Sequence, residues 1–255
     1  MTLSTVRGRA LGAALLLTSG LALASCTGSH GSAGADQQIV ASCPSNPVAS
    51  TVGLDVSGSF QSDLVKAATM DTVAAEVRRA ALCGGHVRVF TFASSTGATV
   101  MLYDGDLLVE APTENARLRK AGKLADQTTT TISEHYDAAL MNMTGNGSDP
   151  LGMLTLLQQA NALYPEHALV NVLVTDGVNT IGADPTAVPD ADAARALADQ
   201  QPVPELSGAD VSIVGIGKQG AGELSSSVIT NLTAFWEQVC QNTHAARCHV
   251  STEGR

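Results

Sequence analysis

Basic residues are scarce in this 255-residue sequence. Lys and Arg number 14 against 24 Asp and Glu, which gives a formal net charge of −10. An acidic chain without a Lys/Arg-rich run lacks the basic surface that phosphate backbones require, so we expect no nucleic-acid partner. The sequence also lacks a Gly-x-Ser-x-Gly elbow, a P-loop and a His-Glu-x-x-His sequence, which argues against the enzyme classes that carry them.

Long apolar runs are equally scarce, because the only one lies in residues 1–25. There Arg7 and Arg9 precede about 15 mostly apolar residues, a length and charge pattern typical of a signal peptide. The run ends at Leu23-Ala24-Ser25-Cys26, which resembles the bacterial lipobox. That resemblance implies cleavage before Cys26 and its lipidation, and hence a lipid-anchored protein on the extracytoplasmic side of the cell membrane. The alternative is an ordinary secretory signal.

Four further cysteines are present, an even number in a protein expected to be exported. Cys43 lies just before the first predicted strand and Cys83 ends the first predicted helix. Both are therefore expected at the same end of the sheet, where a disulfide between them is geometrically reasonable. Cys240 and Cys248 flank a short loop after the last predicted helix, and local pairing is the simplest arrangement.

Two other states of these cysteines remain open. They could be free buried thiols, or Cys240 and Cys248 could bind zinc together with His244 and His249. The spacing of that second set fits no familiar zinc-ligand pattern.

Alternating strand and helix patterns predict one α/β domain over 49–255. The segment 167–176 is nearly all apolar, as a central parallel strand covered on both faces should be. Predicted strands at 86–93 and 99–103 are joined by too few residues for a helical crossover, so they must be antiparallel. We therefore predict a Rossmann-like open twisted sheet, mostly parallel with one antiparallel edge strand, with helices on both faces.

The remaining segments are predicted from composition and helical periodicity. Residues 26–48 are rich in Gly, Ser and Ala, which favours a flexible tether. Residues 113–142 favour a helix that is interrupted by the Thr128–Thr131 run. Other helices are expected at about 60–82, 149–163, from 190, and at 224–239.

Oxygen-bearing side chains follow two of the predicted strands. Asp55-Val-Ser57-Gly-Ser59 follows the first strand, Asp176 ends the central strand, and Ser148 opens the helix before it. Ligands bind at the carboxyl ends of the strands in open α/β sheets, so these side chains can meet there. An oxygen-only set suits Mg²⁺ or Mn²⁺. Ordinary turns and helix caps are the alternative interpretation.

These segments resemble the von Willebrand factor A domain with its metal-ion-dependent adhesion site. The family's first motif, Asp-x-Ser-x-Ser, is complete as Asp55, Ser57 and Ser59, and Asp176 before Gly177 matches the third. The second motif usually supplies a Thr in a Gly-rich loop that opens a helix. This sequence has Ser148 there, and Thr128–Thr131 are rival donors that lie far upstream of Asp176.

The resemblance implies that Ser57, Ser59 and Ser148 contact Mg²⁺ or Mn²⁺ directly, while Asp55 and Asp176 act through water. A cation held by neutral ligands keeps an open position for an Asp or Glu carboxylate of a partner protein. The implied function is a metal-dependent binding module and not an enzyme, with an unidentified partner that presents an acidic contact residue.

Two alternatives to that function remain. One is a scaffold of the same fold with a vestigial metal site, since Ser148 replaces the family's Thr. The other is a phosphatase with Asp55 as nucleophile, because Asp55-x-Ser57 faintly resembles Asp-x-Asp-x-Thr. Ser57 replaces the second acid and is a poor proton donor, which disfavours the enzyme.

Overall fold

A computed structural model describes residues 30–94, 99–142, 147–220 and 224–254, with side chains from residue 34 onward. The predicted signal peptide 1–25 and Cys26 lie outside these ranges, so both remain predictions. The described helices and strands have the following bounds in chain order: α1 (His30–Ala41), β1 (Val48–Asp55), a 3-10 turn (Gly58–Phe60), α2 (Asp63–Cys83), β2 (Gly85–Phe92), β3 (Val100–Leu107), α3 (Glu114–Asn142), α4 (Pro150–Asn161), β4 (Ala168–Val174), α5 (Ala191–Ala198), β5 (Asp210–Val214), α6 (Ser226–Asn242) and β6 (Arg247–Ser251).

The strands form one sheet in the order β3-β2-β1-β4-β5-β6. Every neighbouring pair is parallel except β2 and β3, which are antiparallel, so β3 is the antiparallel edge strand. The predicted fold class, an open and mostly parallel α/β sheet, is therefore confirmed. The carboxyl ends of β1 and β4 lie side by side, because Leu54 is in register with Val174.

Helices cover the sheet on both faces and enclose two apolar cores. One core lies between the sheet and α2 and α3, and includes Val52, Val77 and Val172. The other lies beneath α4, α5 and α6, and includes Leu157, Leu173 and Phe235. None of the helices in the described ranges combines the length and the apolar character that a membrane span requires.

Local capping fixes where α2 and α4 begin at the carboxyl ends of β1 and β4. The Ser62 hydroxyl accepts a hydrogen bond from the Val65 amide at the start of α2. The Asp149 carboxylate accepts one from the Gly152 amide at the start of α4, where Pro150 occupies the first turn. These caps set the two helix starts that follow the Asp55 loop and the Ser148 loop.

The predicted flexible tether is wrong for residues 30–41, which form α1. Asp36 forms a bidentate ion pair with Arg78 of α2 at 2.7 and 2.9 Å. Ile39 and Val40 pack against the first core. Composition favoured a flexible segment, but these contacts with α2 supply the stabilisation that an isolated short helix lacks.

Both predicted disulfides, Cys43–Cys83 and Cys240–Cys248, are present. The first joins the chain before β1 to the end of α2, with the two Cα atoms 5.4 Å apart. The second disulfide excludes zinc binding by Cys240 and Cys248, because their sulfurs are bonded to each other. His244 lies instead beside Glu205, with its Nδ1 2.7 Å from the carboxylate.

The predicted interruption at Thr128–Thr131 is also wrong, because α3 is continuous. Thr130 and Thr131 donate their hydroxyl protons to the carbonyls of Asp126 and Gln127, one helical turn earlier. A helix accommodates threonine in this way, at a small cost in propensity, and Thr128 is buried against the core.

Asn171, in the middle of β4, is a fully buried amide within an apolar layer. It lies in register with Thr51 of β1 and with Val211 of β5, which belongs to the second core. Neither of its side-chain polar atoms has a hydrogen-bond partner among the described residues.

We expect Asn171→Val to raise the free energy of unfolding by roughly 1–3 kcal/mol, since it removes two unsatisfied polar atoms and favours the strand. Thermal unfolding followed by circular dichroism measures the change. A lower melting temperature would show that the amide is satisfied within the folded protein.

Candidate metal centre

The centre lies where β1 and β4 end at one edge of the sheet. β1 ends at Asp55, and β4 is followed directly by Thr175 and Asp176. Because the two strands are adjacent and parallel, the side chains that follow them are brought to the same edge.

The Asp55 carboxylate is fully buried and joins three segments of the chain. Its Oδ2 accepts hydrogen bonds from the hydroxyls of Ser148 and Thr175, both at 2.7 Å. Its Oδ1 accepts one from the Ser57 amide at 2.8 Å. One carboxylate therefore holds the loop before α4 and the end of β4 against its own loop.

Ser57 and Ser59 place their hydroxyl oxygens 3.3 Å apart. Two neighbouring ligands in an octahedron with metal–oxygen distances near 2.1 Å lie about 3 Å apart, so this spacing is close to what one Mg²⁺ requires. Ser57 is buried, whereas Ser59 is partly exposed. The accessible side of the centre is therefore the side of Ser59.

The loop that carries Ser148 is held by backbone hydrogen bonds. The Ser148 amide donates to the Thr180 hydroxyl at 2.7 Å, and the Thr180 amide donates to the Ser148 carbonyl at 2.9 Å. Gly147 packs so closely on Ser94 that a Cβ would lie 2.8 Å from the Ser94 Cβ. A glycine is needed there, and the Ser148 hydroxyl is held toward Asp55.

Asp176 is buried beside Asp55 and faces several donors. Its Oδ1 accepts from the Val178 amide at 2.9 Å, and its Oδ2 accepts from the Gln219 side chain at 3.4 Å. The nearby Ser59 hydroxyl opposes the rise in the pKa of this carboxylate.

Gly177 and Trp236 fix the turn that follows Asp176. The Trp236 indole donates to the Gly177 carbonyl at 2.8 Å. Gly177 adopts φ 79°, and a Cβ there would lie 2.7 Å from Ile216. Trp236 is fully buried and supports the turn from the core side, which is a packing role.

Burial raises the pKa of both carboxylates in this cluster, and the charge of Asp55 adds to the rise in the pKa of Asp176. Burial raises the pKa of Asp55, and the hydrogen bonds from Ser57, Thr175 and Ser148 oppose that shift. Burial, together with the negative charge of Asp55, raises the pKa of Asp176 to about 6. No Lys, Arg or His side chain is among the described contacts of either carboxylate.

The structure thus brings the five candidate side chains Asp55, Ser57, Ser59, Ser148 and Asp176 together at the carboxyl ends of β1 and β4, where Asp55 is hydrogen-bonded to Ser57 and Ser148. Their role as metal ligands stays a prediction. The rival donors Thr130 and Thr131 donate their hydroxyl protons to carbonyl groups of their own helix. No group of three or more His, Cys, Asp or Glu side chains in the described ranges could hold a metal, so a cation here would depend on hydroxyl oxygens.

Thr175 is a member of the cluster that sequence reasoning missed. Its hydroxyl donates to Asp55 and accepts from the Gly177 amide at 3.0 Å. The available signal was a single polar residue between an apolar strand and Asp176. That signal is weak, because threonine is common in strands.

Comparisons with known proteins identify no family for this chain. No family model matches the sequence, and no curated protein matches it. Among solved structures, BatB from Bacteroides thetaiotaomicron is 14% identical, with a TM-score of 0.43 over 82% of this chain and 91% of BatB. A von Willebrand factor type A structure from Catenulispora acidiphila is 15% identical, with a TM-score of 0.40 over 75% of this chain and 37% of that one.

A third similar structure is the manganese-loaded TRAP protein of Plasmodium vivax. It is 12% identical, with a TM-score of 0.33 over 74% of this chain and 63% of TRAP. Likenesses at this level do not establish what the chain binds, so its function has to be inferred from its own residues.

The raised pKa of Asp176 predicts how added cation affects stability at different pH values. Its folded pKa of about 6 exceeds the ordinary carboxyl value of 3.8, so without cation the folded state loses stability as pH rises through this interval. A bound Mg²⁺ favours the ionised carboxylates and offsets that loss.

We therefore expect Mg²⁺ to raise the melting temperature by several degrees near pH 7.5 and by little near about pH 5. Differential scanning fluorimetry with Mg²⁺ and with EDTA at both pH values measures the difference. An equal rise in melting temperature at the two pH values would show that the cation does not act through Asp55 and Asp176.

Proposed function

We propose that this protein is a metal-dependent binding module that captures a partner protein through a divalent cation. The observation that carries the proposal is the pair of buried carboxylates, Asp55 and Asp176, beside three serine hydroxyls. Two buried like charges are costly unless a positive charge neutralises them. A divalent cation beside these hydroxyls would supply that charge.

The donor set fits Mg²⁺ or Mn²⁺. A hydroxyl that donates its proton to a carboxylate keeps lone pairs for a cation, and Ser148 is arranged in this way on Asp55. Ser57, Ser59 and Ser148 would contact the ion directly, and Asp55 and Asp176 would act through water. The bound cation would supply positive charge for an incoming carboxylate.

Because the chain is acidic, we expect an acidic partner to bind at this site only when the cation is present. The chain carries a formal charge of −10, and Asp55 and Asp176 would repel a partner carboxylate at close range. A divalent ion with neutral direct ligands would replace this repulsion of the partner carboxylate by attraction. Capture of an acidic side chain should therefore disappear with EDTA.

A phosphatase reaction is disfavoured by the surroundings of Asp55. Both of its oxygens accept hydrogen bonds, and the side chain is fully buried, so neither oxygen is free to attack a substrate. Ser57 also stands where such a motif needs a second acid. We propose a binding role without catalysis.

A lipid anchor at Cys26 would hold this module on the extracytoplasmic side of a bacterial membrane. The signal-like residues 1–25 and the lipobox-like Leu23–Cys26 support this localisation. The disulfides Cys43–Cys83 and Cys240–Cys248 also favour an oxidising compartment outside the cytoplasm.

Isothermal titration with Mg²⁺ and with Mn²⁺ tests the metal site. We expect binding by the unaltered protein and at least a tenfold loss, roughly 1.4 kcal/mol, in Asp55→Asn. Asparagine keeps the shape of the side chain but loses the charge and one hydrogen-bond acceptor. Ser148→Ala should also weaken binding, because it removes a direct ligand.

The matched control is Asp137→Asn, which removes an exposed carboxylate that pairs with Lys66. It should bind Mg²⁺ as the unaltered protein does. Equal Mg²⁺ affinity in Asp55→Asn and Asp137→Asn, with both folded by circular dichroism, would refute the site. Mg²⁺ binding combined with equal partner recovery in Mg²⁺ and in EDTA would instead favour a scaffold with a structural ion.

The anchor is tested separately with Cys26→Ala in a bacterial host. We expect the unaltered protein in the membrane fraction with incorporated radiolabelled fatty acid, and the variant in the soluble fraction without label, since one thiol carries the lipid. Mg²⁺ affinity should be the same in both proteins. Labelling of Cys26→Ala would exclude this cysteine as the attachment point.

A further inference from the structure

Helix α1 is the described element that follows the proposed lipid anchor most closely in the chain. Three residues separate Cys26 from His30, the first residue of α1. Consecutive Cα atoms lie 3.8 Å apart, so the chain between these two residues can span at most about 15 Å. A lipid on Cys26 would therefore hold the start of α1 close to the membrane surface.

Helix α1 is fixed to the folded domain, so the anchor would act on the whole module. Asp36 of α1 pairs with Arg78 of α2. The disulfide Cys43–Cys83 joins the chain directly after α1 to the end of α2. Arg78 also lies 3.4 Å from Asp126 of α3. A short link to the membrane would thus bring the neighbouring parts of α2 and α3 near the surface together with α1.

Unpaired cations are concentrated around α1. Among the described residues, seven Lys and Arg side chains form ion pairs with a carboxylate. The described Lys and Arg side chains without such a pair are Arg79, Arg119, Lys120 and Lys123. The last three lie on α3 and are exposed, and Lys120 donates to the backbone carbonyl of Glu110 at 3.2 Å.

Two cavities place these cations beside α1. Arg119 and Lys123 are one turn apart on α3, and they line a cavity of about 490 Å³ that also includes Gln37 of α1. Arg79 lines a second cavity with Ser42, the residue directly after α1. Unpaired positive charge therefore lies next to the helix that leads to the anchor.

This part of the molecule has the opposite charge to the chain as a whole. We define the cationic face as α1, residues 77–83 of α2 and residues 108–126. It contains six Lys and Arg side chains and four carboxylates, a net charge of +2 in a chain of −10. Three of the four carboxylates, Asp36, Glu114 and Asp126, are paired with Arg78 or Arg117. Anionic lipid headgroups attract a surface of this kind.

The candidate metal centre lies at the opposite end of the strands. Leu107, which ends β3, is in register with Gly85 at the start of β2, so α3 begins near the amino end of β1. The eight-residue β1 spans about 26 Å from that end to Asp55. This separation exceeds the Debye length of about 8 Å at physiological ionic strength, so the carboxylates of the centre oppose contact with headgroups only weakly.

We propose that the cationic face docks on anionic phospholipid headgroups of the membrane in which Cys26 is anchored, which presents the metal centre away from the membrane. The proposal rests on the lipid anchor of the proposed function, since the short link brings the cationic face to the surface. The unpaired groups of Arg119, Lys120 and Lys123 bind headgroup phosphates. The membrane thus sets the orientation of the module as well as its location.

Lysine modification tests this orientation, because the four lysines of the chain divide evenly between the two ends. Lys120 and Lys123 belong to the cationic face, whereas Lys66 begins α2 and Lys218 follows β5, at the metal end. The lipidated protein is added to vesicles of phosphatidylcholine, with or without phosphatidylglycerol, and treated with a water-soluble amine reagent. Peptide mass spectrometry then gives the rate at each lysine. We expect Lys120 and Lys123 to react severalfold more slowly with phosphatidylglycerol present, and Lys66 and Lys218 to react equally in both.

Arg119→Gln and Arg195→Gln form a matched pair of variants. Each removes one exposed cation, and Arg195 lies on α5, which covers the other face of the sheet. Arg119→Gln should weaken docking about fivefold, seen as faster modification of Lys123, as loss of one cation near an anionic surface predicts. Arg195→Gln should leave the rate unchanged. High salt should abolish the protection of Lys123 in the unaltered protein, because it screens the charges.

The possible failures are distinct. A protein that does not float with phosphatidylcholine vesicles has no lipid anchor, and this inference fails with the anchor, whereas Mg²⁺ binding is unaffected. Flotation combined with equal modification of Lys120 and Lys123 in both kinds of vesicle refutes the docking alone. Protection of Lys66 and Lys218 instead would place the metal end on the membrane and overturn the proposal. Protection of Lys120 and Lys123 in detergent that grows with protein concentration would assign the cationic face to a second copy of the chain and also overturn it.

Discussion

The hydrogen bonds from Ser148 and Thr175 to one carboxylate oxygen of Asp55 are the interaction on which this edge of the sheet depends. They tie segments that are about a hundred positions apart in sequence to a residue at the end of β1. Without a buried acceptor at Asp55, the loop before α4 would keep its contacts with Thr180, Ser94 and the Ala93 carbonyl but would lose the bond that orients the Ser148 hydroxyl. The position of the Ser148 hydroxyl follows from the charge of Asp55.

That arrangement stabilises the geometry and carries an electrostatic cost at the same time. Asp176 is buried beside Asp55, and the loss of hydration together with the repulsion from Asp55 raises its pKa. The surrounding sheet tolerates the cost because β1 and β4 are central strands with a core on either face. Binding sites are often less stable than the scaffold that holds them, and this edge fits that pattern.

The sequence predicted the framework of the site better than its details. Alternation of apolar strands with helices placed Asp55 and Asp176 on one edge, because parallel neighbours share their carboxyl ends. Thr175 and Gln219 were missed, since one polar residue at a strand end or in a loop has no periodic signal. Helix α1 and the continuous α3 were also missed. Asp36 and Arg78 lie far apart in sequence, and threonine hydroxyls can bond to their own helix, so composition alone could not reveal either helix.

Burial also decides from which direction a partner can approach. Asp55, Ser57, Ser148 and Asp176 are buried, whereas Ser59 is partly exposed. A carboxylate that enters from outside must therefore approach past Ser59, whose carbonyl is bonded to Gly220. The same hydrogen bond that fixes the Ser59 loop therefore also fixes the exposed side of the cluster, from which any ligand would have to approach.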